Sequence, residues 1–294
     1  MIQFISEHAP AKVNLALHVT GRRADGYHLL DTLVVFTEAG DRIRVRRADR
    51  DTLDISGPFS SGLESDADNL VLRARDMLRR LTGTTIPVHI ALEKNLPIAS
   101  GIGGGSSDAA AILRALHCLW RPDVSLDEIA LESLQLGADL PMCMEARPLI
   151  ARGIGDAITH VEGLPALAMV LVNPGVAVST PAIFRALASR DNAPMPALDP
   201  RPDFAGLVGW LASTRNDLED TAASLAPPIA DTLQALRHSG AAMARMSGSG
   251  ATCFGLYASL DEARRAAEVI ASSEPSWYVQ ATNTIERVSA DVAT

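Results

Sequence analysis

Apolar and polar positions alternate over "AKVNLALHV" at 11–19, with Val13, Leu15, Leu17 and Val19 in step, which predicts a β-strand with one buried face. Turn punctuation follows in "GRRADGYH", and the strand pattern resumes in "TLVVF", "DRIRVRR" and "TLDIS". The period then lengthens to that of a helix in "LVLRARDMLRRL", with Asp68 or Asn69 as its N-cap, before "IPVHIALEK" reads as another strand. A glycine loop leads into the helix "DAAAILRALHCLW", capped on this reading by Ser106 or Ser107, and a further helix lies in "SLDEIALESLQ". Past "GIGD" at 153–156 come a buried strand "AMVLVNP", a helix in "TPAIFRALA" and a Pro-rich surface loop at 191–203. Helices near 205–237, the small-residue segment "RMSGSGATCFGLY", a helix in "LDEARRAAEVIA" and a strand "WYVQATNTIE" complete the pattern. Strands and helices intermingle, so the expected class is α+β, with a boundary near 155–165 dividing the chain into 1–157 and 158–294.

Composition narrows the functions. No stretch reaches the roughly 18 apolar residues of a membrane span, and the first residues lack a basic start followed by an apolar run, so no membrane role and a cytoplasmic location are expected. Cys118, Cys143 and Cys253 are far apart inside apolar runs, which reads as buried thiols rather than disulfides or ligands. The histidines lack ligand spacing, so no protein-built metal site is expected. A net charge of −9 argues against nucleic acid, and "RIRVRR" reads as the solvated face of a strand. Of the 26 basic residues only Lys12 and Lys94 are lysine. Lysine is a compact point charge where arginine is a planar fork, so these two positions point to sites where an ammonium itself is used.

The loop "GIGGGSS" carries the sharpest chemistry. Glycines let the backbone approach a ligand closely, and a helix starting there offers several N–H groups at the positive end of its dipole, an anion site suited to phosphate. The familiar phosphate motifs fail. No Gly-Lys pair exists for a P-loop, the sixth position of GxGxxG is Ser106 or Asp108, and the protein-kinase HRD and DFG triplets are absent.

The pattern PxxxGxGGGSSDAA from Pro97 to Ala110 resembles the second motif of the GHMP kinase superfamily. "APAKVNLALHVTGRRADGYH" at 9–28 is similar to the first motif and "RMSGSGATCFGLY" at 245–257 to the third. The resemblance spans nearly the whole chain, and "AKVNL", "RADGYH" and "GADLP" make it strongest to the branch that acts on a cytidine diphosphate-linked polyol. It implies a two-domain GHMP kinase fold with the active site in the cleft between the domains, ATP and Mg²⁺ as cofactors, phosphorylation of an alcohol, and a monomer or weak homodimer. Residues Pro97, Ile98, Ala99, Ser100, Gly101, Ile102, Gly103, Gly104, Gly105, Ser106 and Ser107 would then cradle the triphosphate.

The same resemblance makes Asp139 the acceptor of the substrate hydroxyl's proton and Lys12 the cation that keeps that carboxylate ionised. Read alone, Asp139 serves equally as a helix cap and Lys12 as a strand residue with a buried stem. Asn14, two residues on, faces the same side and is expected near the reacting hydroxyl. His28 is assigned to the cytosine, with Tyr27 and Phe184 as aromatic walls and Thr180 as a further substrate contact. Read alone, edge packing is the lesser alternative for Tyr27 and His28. Two positions depart from the family's pattern. Val34 stands where relatives often carry an aromatic, so base stacking is either weaker or left to Phe184. Asp108 stands where Asn is common, a carboxylate that would repel phosphate unless it faces away or helps to hold Mg²⁺. A homoserine- or mevalonate-type kinase, a catalytically silent nucleotide sensor and an RNA-binding protein are the rival readings. Tyr27 and His28 disfavour the first, Lys12 and Asp139 the second, and the net charge of −9 the third.

Overall fold

The computed structural model describes residues 4–63 and 68–286, together with the backbone of 291–293. Strands β1 (Phe4–Arg22) and β2 (His28–Arg47) form a long antiparallel hairpin. It is followed by β3 (Thr52–Ser56), α1 (Leu70–Thr82), β4 (Val88–Glu93), α2 (Gly104–Trp120), α3 (Leu126–Ser133), α4 (Leu140–Glu145), β5 (Leu149–Gly153) and β6 (Ala157–His160). A second series runs through β7 (Ala168–Asn173), α5 (Thr180–Ala186), α6 (Phe204–Ala212), α7 (Glu219–Leu225), α8 (Pro228–His238), β8 (Met243–Met246), β9 (Cys253–Tyr257), α9 (Leu260–Ser273), β10 (Tyr278–Ile285) and β11 (Asp291–Ala293).

β2 is the spine. One edge pairs with β1, while the other takes β5 along 30–34, β10 at 36–37 and β4 along 42–47. β10 continues into β7, β9 and β8, so the sheets of the two halves are joined and the end of the chain returns to the first half. The expected divide at 157 would cut the β5–β6 hairpin, whose ladder runs from Leu149–His160 to Arg152–Ala157. "GIGD" is the turn of that hairpin, with Gly153 and Gly155 at positive φ, and neither flanking strand shows a clear period in sequence.

The one-faced reading of β1 is corrected by the structure: residues 9–19 are all buried. One side of the β1–β2 hairpin packs Ala9, Val34 and Phe36 beneath α1 and α2. The other side packs Val13, Leu15, Leu33 and Val35 against Met169, Leu171, Phe254 and Leu256 of the second half. The polar residues of the alternation, Lys12, Asn14 and His18, therefore lie in the joint between the halves, where each finds a partner. Outside this joint the reading of "RIRVRR" holds: Ile43 and Val45 are fully buried while Arg42, Arg44 and Arg47 are exposed.

Local signals explain most helix ends. Asn69 caps α1 by accepting from Val71 N at 3.0 Å, and Ser125 with Glu128 forms a complete capping box on α3. α2 differs from expectation, since it begins at Gly104 with Gly103 as its N-cap and has no side-chain cap. Ser106 and Ser107 sit inside its first turn, where Ser107 N donates to Gly103 O at 2.8 Å. The loop at 191–203 contains no helix or strand, as expected, yet Met195 is buried and Ala193 O accepts from His18 Nδ1, so it covers the first half rather than lying free.

Candidate active site

Lys12 is held where its backbone N–H donates to Ile102 O at 2.9 Å, which ties β1 to the glycine loop. Its ammonium reaches Asp139 Oδ2 at 2.7 Å across 127 positions of sequence. Asp139 occupies the N-cap position of α4 but makes no capping hydrogen bond, so its carboxylate is committed to Lys12 and to the cavity beyond. The side chain of Lys12 is 7% exposed and that of Asp139 42%. The cation is therefore walled in while the carboxylate faces the space that a reactant enters.

Asn14 lies on the same side of β1 as Lys12, and its orientation follows from its neighbour. The Thr32 hydroxyl gives its one proton to Ala16 O at 2.6 Å, so it must accept from Asn14 Nδ2, at 2.8 Å. That leaves Asn14 Oδ1 as a buried acceptor with no partner among the described residues. Ser247 joins the three motifs, accepting from Asn14 N at 3.1 Å and donating to Gly101 O at 3.1 Å.

The loop itself needs glycine at specific points. A Cβ on Gly101, at φ +78°, would meet Ser247 O and Gly250 O at 2.6 Å, and one on Gly103, at φ +65°, would press on the Lys12 side chain at 3.1 Å. Pro97, Ile98, Ala99, Ser100, Gly101, Gly103, Gly104, Gly105 and Ser106 line a cavity of about 570 Å³, together with Lys12, Asn14, Asp139, Thr180 and Phe184. Ile102 and Ser107 do not line it. Ile102 is fully buried in the joint, and Ser107 turns its hydroxyl to Cys143 Sγ. The cavity thus opens onto the start of α2, a 17-residue helix whose first N–H groups have no intrahelical acceptor.

Below the loop lies a group that sequence reasoning half saw. Lys94 is ion-paired with Asp41 and, at 2.8 Å, with Asp108, and all three are essentially buried. Asp41 also accepts from the backbone N–H groups of Asn95 and Leu96, at 2.6 and 2.8 Å, and so anchors the segment that joins β4 to the loop. Burial pushes the Asp108 carboxyl up to about 8, with Lys94 opposing and Asp41 reinforcing the shift. Burial disfavours the Lys94 charge, but the two carboxylates outweigh it and raise its pKa.

Phe184 lines the cavity and His28 does not: His28 stacks directly on Phe184, ring centroids 4.5 Å apart and planes 23° from parallel. No layer is left between the rings for a base in this arrangement. His28 Nε2 is buried without a partner among the described residues, and burial, then Arg22 and Arg190, lowers its pKa. Thr180 Oγ1 hydrogen-bonds Ser249 Oγ at 2.7 Å. Tyr27 is 62% exposed and lies outside the cavity lining. Val34 points into the core under the helices, so the missing aromatic at that position has no bearing on the cavity wall.

Family models for the GHMP kinases N terminal domain and the GHMP kinases C terminal domain match residues 69–146 and 201–275. The chain belongs to the GHMP kinases. It is 55% identical over 280 residues to a 4-diphosphocytidyl-2-C-methyl-D-erythritol kinase of Mesorhizobium japonicum, covering 95% of each chain. It is likewise 55% identical over 282 residues to the protein of that name from Brucella melitensis, covering 93% of each. Among solved structures, a 4-(cytidine 5'-diphospho)-2C-methyl-D-erythritol kinase superposes with TM-score 0.78 at 35% identity, over 95% of this chain and 98% of the other. A Cytophaga hutchinsonii homoserine kinase matches at TM-score 0.70 and 17% identity, over 99% and 97%, a likeness of fold alone. Among the described residues no helix of this GHMP kinase is long and apolar enough to cross a membrane.

Proposed function

We propose that the chain is an ATP-dependent kinase that phosphorylates the 2-hydroxyl of 4-diphosphocytidyl-2-C-methyl-D-erythritol, a step of non-mevalonate isoprenoid precursor synthesis. The observation that carries this reading is the Lys12–Asp139 pair, 2.7 Å apart, in one cavity with the glycine loop and Phe184. Relatives of that name at 55% identity support the choice of substrate.

In this mechanism the polyol hydroxyl lies against Asp139, which takes its proton as the oxygen bonds to the γ-phosphorus and the bond to the β-phosphate oxygen breaks, releasing ADP. Lys12 keeps Asp139 ionised and offsets negative charge at the transferring group. Asn14 Oδ1 accepts from a substrate hydroxyl and orients it. The N–H groups at the start of α2, with the loop from Pro97 to Gly105 and Ser106, hold the phosphates. The cavity and its open N–H groups fit a nucleotide triphosphate. Mg²⁺ would be held with the nucleotide at the loop, beside Ser106, since no three acidic, His or Cys side chains converge among the described residues to hold it alone. Bound there, it would neutralise charge on the transferring phosphoryl group.

His28 Nε2 reads the edge of the cytosine, and the His28–Phe184 stack parts to seat the base, with Tyr27 and Thr180 at its margin. The divide between halves lies just past the β5–β6 hairpin. All the residues invoked come from one chain, so a monomer or weak homodimer suffices, and the three free cysteines suit a cytoplasmic, reducing setting. The test is ADP release with MgATP and, separately, the cytidylyl polyol, mevalonate and homoserine. Turnover with the first alone is expected, and turnover with either of the others in its place would overturn the substrate assignment.

A further inference from the structure

The triad beneath the loop holds an imbalance that the catalytic reading does not use. Two carboxylates, Asp41 and Asp108, share one ammonium, Lys94, and the three residues are 0%, 3% and 2% exposed respectively. If both acids were ionised, a net negative charge would be buried next to a triphosphate site, since Lys94, Asp108 and Gly104 all line the cavity and a Cβ on Gly104 would stand 3.2 Å from Lys94 Nζ. The hydrogen bonds say which acid is the neutral one. Asp41 has every oxygen engaged, Oδ1 by two backbone N–H groups and Oδ2 by Lys94, an acceptor-only environment that requires the ionised form. Asp108 accepts only from Lys94, through Oδ2, and its Oδ1 is buried with no partner among the described residues.

We propose that Asp108 is a positioning residue for the nucleotide: it carries a proton when ATP is bound, so that the Asp41–Lys94–Asp108 triad is electrically neutral beneath the triphosphate and nucleotide binding is linked to that proton. The inference rests on the reading of the loop as the phosphate cradle. It turns the unexpected carboxylate at the head of α2 from a source of repulsion into a pH-sensitive support. The direction of the Asp108 shift, upward through burial and the Asp41 charge, agrees. Other titratable groups face the triad: Lys12 from β1, Asp139 at the start of α4 and Asp68 ahead of α1 share the cavity, while His8 and Tyr278 lie near enough to feel the Asp41 charge. Lys12 and Asp139 neutralise one another, and His8, held neutral by burial, is already uncharged in the range of the test.

The experiment is calorimetric titration of the whole protein with MgATP, without alcohol, at pH 7 and pH 9 in buffers of different ionisation enthalpy. The upper value lies well above the last phosphate ionisation near pH 6, so proton exchange there reports the protein. Uptake on the order of one proton per nucleotide at pH 9, near zero at pH 7, with affinity weakening by up to about tenfold between the two, is the expected result. Asp108→Asn, neutral at every pH, should abolish both the uptake and the pH dependence. Tight binding with no proton uptake by the wild type would overturn the proposal while leaving the nucleotide site in place. Uptake that persists unchanged in Asp108→Asn would move the proton to another group and overturn it as well. Gly105→Asp adds a carboxylate to the cradle at a position whose Cβ would meet nothing within 4 Å beyond its own turn of helix. Undiminished MgATP affinity in that variant would take the phosphates out of the loop, and the proposal with them.

Discussion

Gly105→Ala separates the glycine loop's service to the fold from its service to the ligand. Gly105 is the second residue of α2, has no left-handed φ, lines the cavity, and would place a Cβ with no heavy atom within 4 Å beyond its own turn of helix. The protein therefore gains a methyl group without a clash. A helical Ala lowers the backbone entropy of the unfolded chain relative to Gly, worth roughly 0.5–1 kcal/mol, so the melting temperature should hold or rise by about 1–3 °C. The nucleotide meets a different situation. A phosphate oxygen bonded to an N–H in this turn sits about 2.9 Å from nitrogen, and a methyl on the same residue crowds it. Crowding of that kind costs typically 1–3 kcal/mol, which predicts a rise of about 5- to 150-fold in the KM for ATP. Steady-state kinetics and differential scanning fluorimetry on one preparation give both quantities. A variant that melts lower would show that Gly105 serves packing, and one with unchanged KM for ATP would show that the phosphates lie elsewhere.

Asp139→Asn should lower kcat by about 10² to 10⁴ and also lower the melting temperature by a few degrees, because the Lys12 side chain, only 7% exposed, loses its counter-charge. A loss of only a few fold in single-turnover assays would reduce Asp139 to an electrostatic anchor. His28 has a pKa below 6.5, so it is neutral at pH 7 and above. The KM for the cytidylyl substrate should be flat there and rise as pH falls through the lowered value. A matching rise in His28→Gln would clear His28 of any part in it. Asp108, with its pKa raised from 3.8 to about 8, binds a proton in the folded state that the unfolded chain has released. Wild-type stability should therefore fall relative to Asp108→Asn as pH climbs from about 4 to 8 and level off above. A constant difference in melting temperature across that range would refute the assignment.

Much of this was legible because the signals were local. Asn69 and Ser125 are side-chain caps that act within three residues, and Ile43 with Val45 alternates against exposed arginines on one strand. The start of α2 was misplaced because its cap is a backbone conformation, Gly103 at φ +65°, that leaves no side-chain signature apart from glycine itself. The β5–β6 hairpin is hard to see in sequence because its strands are only five and four residues long, with Arg152 and Thr159 exposed and His160 half-buried, too short for a period to stand out. Within the site, the Lys12–Asp139 contact spans 127 positions, and spacing along the chain says nothing about such a distance. Thr32 and Ser247 act by fixing other groups, so neither stands out in sequence.

The alternation over 11–19 shows why a correct period can still give an incomplete picture. Both faces of β1 are buried, so its polar residues mark the seam where the two halves close on each other rather than a solvent face. Sealing a lysine in such a seam is unfavourable unless a counter-charge is present, and the scarcity of lysine in this chain marks both positions without naming their partners. Lys12 meets Asp139 and Lys94 meets Asp41 with Asp108, so both lysines lie on the cavity wall. The two differ in balance: one ammonium to one half-exposed carboxylate, one ammonium to two buried carboxylates. The first arrangement leaves a carboxylate free to accept a proton. The second forces a proton to be held.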